Sequence, residues 1–143
     1  MERDWLPKAK EWYFACKTHD VPDGGVRRVH VYDQEVLLTN LDGDFYAMEP
    51  WCPHNMAPLE FGHVDRSACV VCPEHAMKID VKTGENVCGP YGSSGAKFEP
   101  NWTFPVRVDN GRVYVRVKSD DEIEDYYRSF NIPFKATDVS PPT

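Results

Sequence analysis

The chain has 143 residues and a net formal charge of −7, with 41% of its residues hydrophobic, enough for one ordinary domain with its own core. No run of about 20 apolar residues occurs, so no membrane-spanning helix is expected. The acidic balance also argues against nucleic acid and anionic membrane as partners.

The opening Met-Glu-Arg-Asp-Trp-Leu-Pro lacks the basic and apolar stretches of a secretory signal. Short strands are then expected at Trp12–Cys16, Val26–Tyr32, Glu35–Thr39, Phe45–Met48, Cys69–Val71, Met77–Val81, Thr103–Val108 and Arg112–Val117. Several alternate apolar and polar residues, as in Val113-Tyr-Val115-Arg-Val117, the period of a half-buried antiparallel strand. Asp109-Asn110-Gly111 predicts a tight hairpin, because Asn-Gly accepts positive φ at both turn positions, and Asp42-Gly43-Asp44 offers a second. Many short strands with Gly and Pro turns imply an all-β class, an antiparallel β-sandwich or barrel. Residues of about 50–93 would form a smaller lobe inserted between strands of the larger one.

Ser119-Asp-Asp-Glu122 is a capping-box pattern opening one C-terminal helix over about 120–131. Ile123, Tyr126, Tyr127 and Phe130 make one apolar stripe that suits packing on the β body, and Pro133 ends the helix by Ile132 at the latest. Two segments result: a domain over 1–118 and an extension over 119–143. The extension holds six acids against Arg128 and Lys135, a balance of −4, leaving −3 for the other 118 residues. Such a run is more often a solvated acidic tail than a steering element.

Cys52-Pro-His54 and Cys72-Pro-Glu-His75 each supply a thiolate and an imidazole. Two soft anionic sulfurs and two neutral nitrogens from separate loops are a metal-site signature. Tetrahedral zinc draws on the same donors, although zinc fingers usually separate paired ligands by at least two residues and Cys52 and His54 are separated by one. A [2Fe–2S] cluster with thiolates on one iron and imidazoles on the other needs this supply as well. With two cysteines so used, Cys16, Cys69 and Cys88 remain, and that odd number fits a reducing compartment better than a disulfide framework. In Cys69-Val-Val-Cys72 the two side chains would point to opposite faces of a strand, so Cys69 is expected in the core. His19, His30 and His63 have no cysteine at ligand spacing.

The chain resembles the soluble, single-domain Rieske-type [2Fe–2S] ferredoxins over roughly Trp12 to Lys118. Cys52-Pro-His54-Asn-Met-Ala-Pro58-Leu59 is close to that family's Cys-Pro-His-x-Gly-x-x-Leu. Cys72-Pro-Glu-His75-Ala-Met-Lys-Ile-Asp80, then Thr83-Gly84, is close to its second loop. Gly89-Pro90-Tyr91 falls where the family keeps a proline loop over the cluster. The resemblance implies the Rieske fold, one cluster per chain, and Cys52, His54, Cys72 and His75 as its ligands. Two ferric ions, two sulfides and two thiolates sum to zero charge, so one-electron reduction creates a single negative charge. This is why such centres lie near −150 to +300 mV rather than about −400 mV.

The departures from the family pattern set expectations of their own. Ala57 and Glu74 replace the cysteines that clamp high-potential members with a disulfide, and Met77 and Ile79 replace hydroxyl donors to the sulfurs. Both changes favour a low potential. Met56 and Ala76 stand where glycine is usual, so either the loops bend differently or they bear strain.

The function implied is that of a one-electron carrier, not an enzyme. It would take electrons from a flavoprotein reductase and pass them to a terminal oxygenase or other acceptor, acting as a cytoplasmic monomer. A stromal or matrix form stripped of a transit segment is the alternative location. Met56, Ala57, Pro58, Ala76 and Met77 would make the docking tip apolar. The alternatives are a non-catalytic subunit of a multi-component oxidoreductase, such as a nitrite reductase or oxygenase, and a structural zinc module. An oxygenase catalytic subunit would need a separate 2-His-1-carboxylate iron, for which no chain remains.

Overall fold

The computed structural model describes residues 12–53, 56–74, 76–88 and 100–129. Their eleven strands form three antiparallel sheets followed by one helix. The first sheet orders β1 (Trp12–Lys17), β11 (Arg112–Arg116) and β10 (Val106–Asp109). The second orders β2 (Val26–Val31), β3 (Gln34–Leu41), β4 (Asp44–Met48) and β9 (Thr103–Phe104). The third runs β5 (His63–Val64), β6 (Cys69–Val71), β7 (Lys78–Asp80) and β8 (Asn86–Cys88).

The two glycine turns form as their sequence demands. Asn110 (φ 52°) and Gly111 (φ 75°) close β10 onto β11, and Asp42 (φ 55°) and Gly43 (φ 90°) close β3 onto β4. Positive φ at both central residues matches the right-handed strand twist. The strand expected over Thr103–Val108 instead breaks at Pro105. This residue has no N–H for a ladder, and the chain there crosses from β9, beside β4, to β10, beside β11. β5 and β8 were not foreseen, because His63-Val64 and Asn86-Val-Cys88 lack the apolar run that marks β6.

β3 is the wall between two cores. Its Val36 and Leu38 pack with Val113, Val115 and Phe104 in the base of the molecule. Its Leu37, opposite Met48 of β4, faces the other way into an apolar cluster with Leu59, Val70, Ile79 and both Cys52 and Cys72. Burying such a side chain contributes about 1.5–3 kcal/mol, so β3 stabilises base and lobe at once. The helix α1 (Asp120–Ser129) starts where its capping box predicts. Glu122 N–H donates to Ser119 Oγ (3.2 Å) and Ser119 N–H to Glu122 Oε1 (3.0 Å). Tyr126 and Tyr127 have their side chains, and Phe130 and the expected helix end their positions, outside the described residues.

Candidate metal centre

The third sheet is built around an aspartate turn. Asp65 Oδ1 accepts from the N–H of Ser67 (2.9 Å), its hydroxyl (2.8 Å) and the N–H of Cys69 (3.1 Å), while Oδ2 meets Lys78 Nζ at 3.0 Å. Partial burial alone would raise the Asp65 carboxyl. The bonds from Ser67, Lys78 and Cys69 outweigh it and hold the pKa at about 2. The turn fixes the start of β6, which delivers the chain to Cys72.

From the ends of two strands the backbone then makes the same hook twice. In the first loop Cys52 N–H donates to Ala57 O (2.8 Å) and Met56 N–H returns to Cys52 O (2.7 Å). In the second, Cys72 N–H donates to Met77 O (2.8 Å) and Ala76 N–H returns to Cys72 O (3.0 Å). The fourth residue after each cysteine is left-handed, Met56 at φ 62° and Ala76 at φ 57°. The loops therefore keep the bend that glycine usually serves, at about 1–2 kcal/mol each. Two backbone hydrogen bonds per hook and the apolar packing beneath them offset that cost.

Both cysteines are buried, Cys52 fully and Cys72 at 1% exposure, in the same apolar cluster. Met77 joins them: its thioether lies 3.7 Å from Cys52 Sγ, and its carbonyl holds Cys72 N–H. The structure thus brings two of the four expected ligands to matched positions in one dry cluster. His54 and His75 lie outside the described residues, as does the Gly89-Pro90-Tyr91 segment. The donor chemistry fits a buried cluster. Two thiols on paired, rigid hooks, closed off from water by Leu37, Leu59 and Met77, are what thiolate ligation of one iron asks of a protein.

Ala57 and Met77, expected at the docking tip, are buried at 4% and 0%. The residue after each left-handed position turns inward, so the exposed apolar side chains are Met56 and Ala76, with Phe61 beyond. Cys69 is a core residue as expected, its Sγ 3.8 Å from Ser67 O, and burial pushes both its thiol and that of Cys16 up. His19, His30 and His63 are exposed on the surface.

Asn101 carries no local sequence signal. Asn101, 7% exposed, donates from Nδ2 to the carbonyls of Trp51 (2.9 Å) and Glu49 (3.2 Å) and from its backbone to Gly84 O (2.8 Å). It ties the lead-in of the first loop to the turn after the second. Gly84 (φ 78°) must be glycine, because a Cβ there would lie 2.1 Å from Asn101 O.

Residues 11–110 match the family model of the Rieske [2Fe–2S] domain, which spans both hooks. The chain belongs to the Rieske [2Fe–2S] domain family. Among its relatives is the 3-phenylpropionate/cinnamic acid dioxygenase ferredoxin subunit of Photorhabdus laumondii, 33% identical over 107 residues, which are 75% of this chain and 95% of that protein. A chain from the complex of reduced oxygenase and oxidized ferredoxin in carbazole 1,9a-dioxygenase superposes with a TM-score of 0.64 at 29% identity, over 78% of this chain and 97% of its own. The ferredoxin of carbazole 1,9a-dioxygenase from Nocardioides aromaticivorans IC177 shares the fold at 23% identity, TM-score 0.66, covering 75% of this chain and 98% of that one. As a Rieske ferredoxin the chain carries a [2Fe–2S] cluster and acts as an electron carrier rather than as an enzyme. Among the described residues no helix is long and apolar enough to cross a membrane.

Proposed function

We propose that Cys52 and Cys72 bind one iron of the cluster and His54 and His75 the other, and that the chain ferries single electrons from a flavoprotein reductase to a terminal oxygenase. The observation that carries the ligand assignment is the repeated hook, which presents both cysteines with the same hydrogen bonds in one buried apolar cluster. When bound, the cluster supplies a one-electron couple near the low end of the Rieske range. The chain's own residues do the rest. Cys52 and Cys72 anchor the site, Met77 and Leu59 keep water from the sulfurs, and the left-handed Met56 and Ala76 turn Ala57 and Met77 inward.

Met56, Ala76 and Phe61 are exposed, Phe61 at 73%, and exposed apolar side chains of this kind suit a small transient interface. The relatives are named as ferredoxin subunits of dioxygenases, which supports an aromatic-ring oxygenase as acceptor. The protein works as a monomer in the cytoplasm on this reading, in keeping with cysteines that form no disulfide among the described residues.

The test is reconstitution. The purified, reduced chain mixed with a dioxygenase terminal component and its reductase should support substrate turnover that depends on its concentration. Turnover that proceeds equally without it, with several oxygenases, would remove the acceptor assignment.

A further inference from the structure

The first hook hangs from a narrow neck. Trp51 and Pro58 pair as an isolated antiparallel bridge, and Leu59 N–H donates to Pro50 O (2.8 Å). Arg28, on β2 of the base, reaches both sides of that neck. Its guanidinium lies 4.2 Å from the centroid of the Trp51 ring, immediately before Cys52, and its Nη1 lies 3.3 Å from Glu60 Oε2, immediately after Leu59. A third contact, Nε to Glu35 Oε2 at 3.4 Å, fixes the guanidinium to β3. Glu35 is shared with His30 Nδ1 (3.3 Å).

Two features make this grip more than a surface ion pair. Glu60 is only 20% exposed, and its Oε1 is buried with no hydrogen-bond partner, so among the described residues Arg28 is the one cation holding that carboxylate. The three contacts also need a planar fork that stacks through its face and donates through its edge. Arginine supplies that shape and lysine does not.

We propose that Arg28 is a positioning residue for Cys52. It holds Trp51 and Glu60 together, fixes the frame of the first loop against the base, and so sets the geometry of the thiolate in the metal centre. The second loop has its own anchor in the Asp65–Lys78 turn and does not depend on Arg28. This inference rests on Cys52 being a cluster ligand.

The test compares Arg28→Gln and Arg28→Lys with wild type in the cluster-loaded protein, by hydrogen exchange of peptides from both loops, by EPR of the reduced state and by midpoint potential. Exchange over residues 49–62 should quicken at least tenfold in both variants while residues 69–81 stay protected. The EPR line shape should broaden or shift in both. The midpoint should fall in Arg28→Gln, which also loses a positive charge. Trp51→Phe, which keeps a weaker ring, should lie between wild type and Arg28→Gln. Wild-type exchange and line shape in Arg28→Lys would show that only charge matters, and equal exchange gains in both loops would show only global loosening. Either result overturns the proposal, as does fast first-loop exchange with unchanged EPR and potential. Failure of the ligand assignment itself would show separately, as a cluster retained in Cys52→Ala.

Discussion

The Met77 thioether sits 3.7 Å from the Cys52 sulfur while the Met77 carbonyl accepts the N–H of Cys72, so one residue of the second loop touches both buried cysteines. Its side chain is fully buried, at the position where the family resemblance expects a hydroxyl donor to sulfur. A thioether has no proton to donate. With Cys52 and Cys72 as ligands it would leave the negative charge of the reduced state less stabilised, so a midpoint in the lower half of the range, at roughly −150 to 0 mV, is expected.

Met77→Ser should therefore raise the midpoint, by about tens of millivolts where the hydroxyl reaches a sulfur. It should also destabilise the fold by about 2–5 kcal/mol, because it empties a packed position. Met77→Leu keeps the volume, and should cost under about 1.5 kcal/mol and leave the potential near wild type. Protein-film voltammetry separates the two effects. A wild-type midpoint above about +200 mV would show that burial or loop dipoles outweigh the missing hydroxyl.

Ala76 tests the strain in the second hook. At φ 57° a β-branched side chain is worse than alanine, so Ala76→Val should destabilise by about 1–2 kcal/mol and slow cluster assembly. Ala76→Gly removes the strain but frees the unfolded chain, so a change between neutral and about 1 kcal/mol of stabilisation is expected. Chemical denaturation of the three proteins checks the order.

Gly84→Ala should be far more costly than its size suggests. The new Cβ meets the backbone carbonyl of Asn101, and that carbonyl cannot swing aside as a flexible side chain could. Loss of about 2–4 kcal/mol is expected. Loosening should reach the first loop as well, because Asn101 also holds the Trp51 carbonyl. Thermal melting together with proteolysis between residues 49 and 62 would detect both effects.

Much of this was legible in the sequence. Asn-Gly and Asp-Gly turns, the alternation in β11 and the Ser119–Glu122 box are local signals, and each formed as its chemistry requires. The two cysteine loops were legible because their ligand types and spacings are tied to one another. The inward turn of Ala57 and Met77 was not, since it follows from the left-handed residue before each of them. Asn101 and Arg28 were invisible for a different reason: their partners lie 50 and 23 residues away at Trp51, and no local pattern marks a long-range hydrogen bond or a stacked guanidinium.

Asp65 gives the pH dependence. Its folded pKa of about 2 lies below the ordinary value of 3.8, so it binds protons less readily folded than unfolded. Its contribution is fully present above about pH 5 and is lost as the pH falls through about 4 toward 2, with a magnitude on the order of 1 kcal/mol for a partly exposed group. Asp65→Asn should be less stable than wild type at pH 7, and that difference should shrink by pH 3. Guanidinium titrations at the two pH values would show it, and a difference that stayed constant with pH would mean the turn acts through shape alone.

Pulsed EPR of the reduced protein with ¹⁵N-labelled histidine tests most directly whether two thiolates and two imidazoles hold the cluster. Two strongly coupled histidine nitrogens are predicted, with the cluster lost in Cys52→Ala and Cys72→Ala and the two-nitrogen pattern lost in His54→Ala and His75→Ala. A cluster without histidine coupling, or a colourless protein that binds zinc in its place, would contradict it.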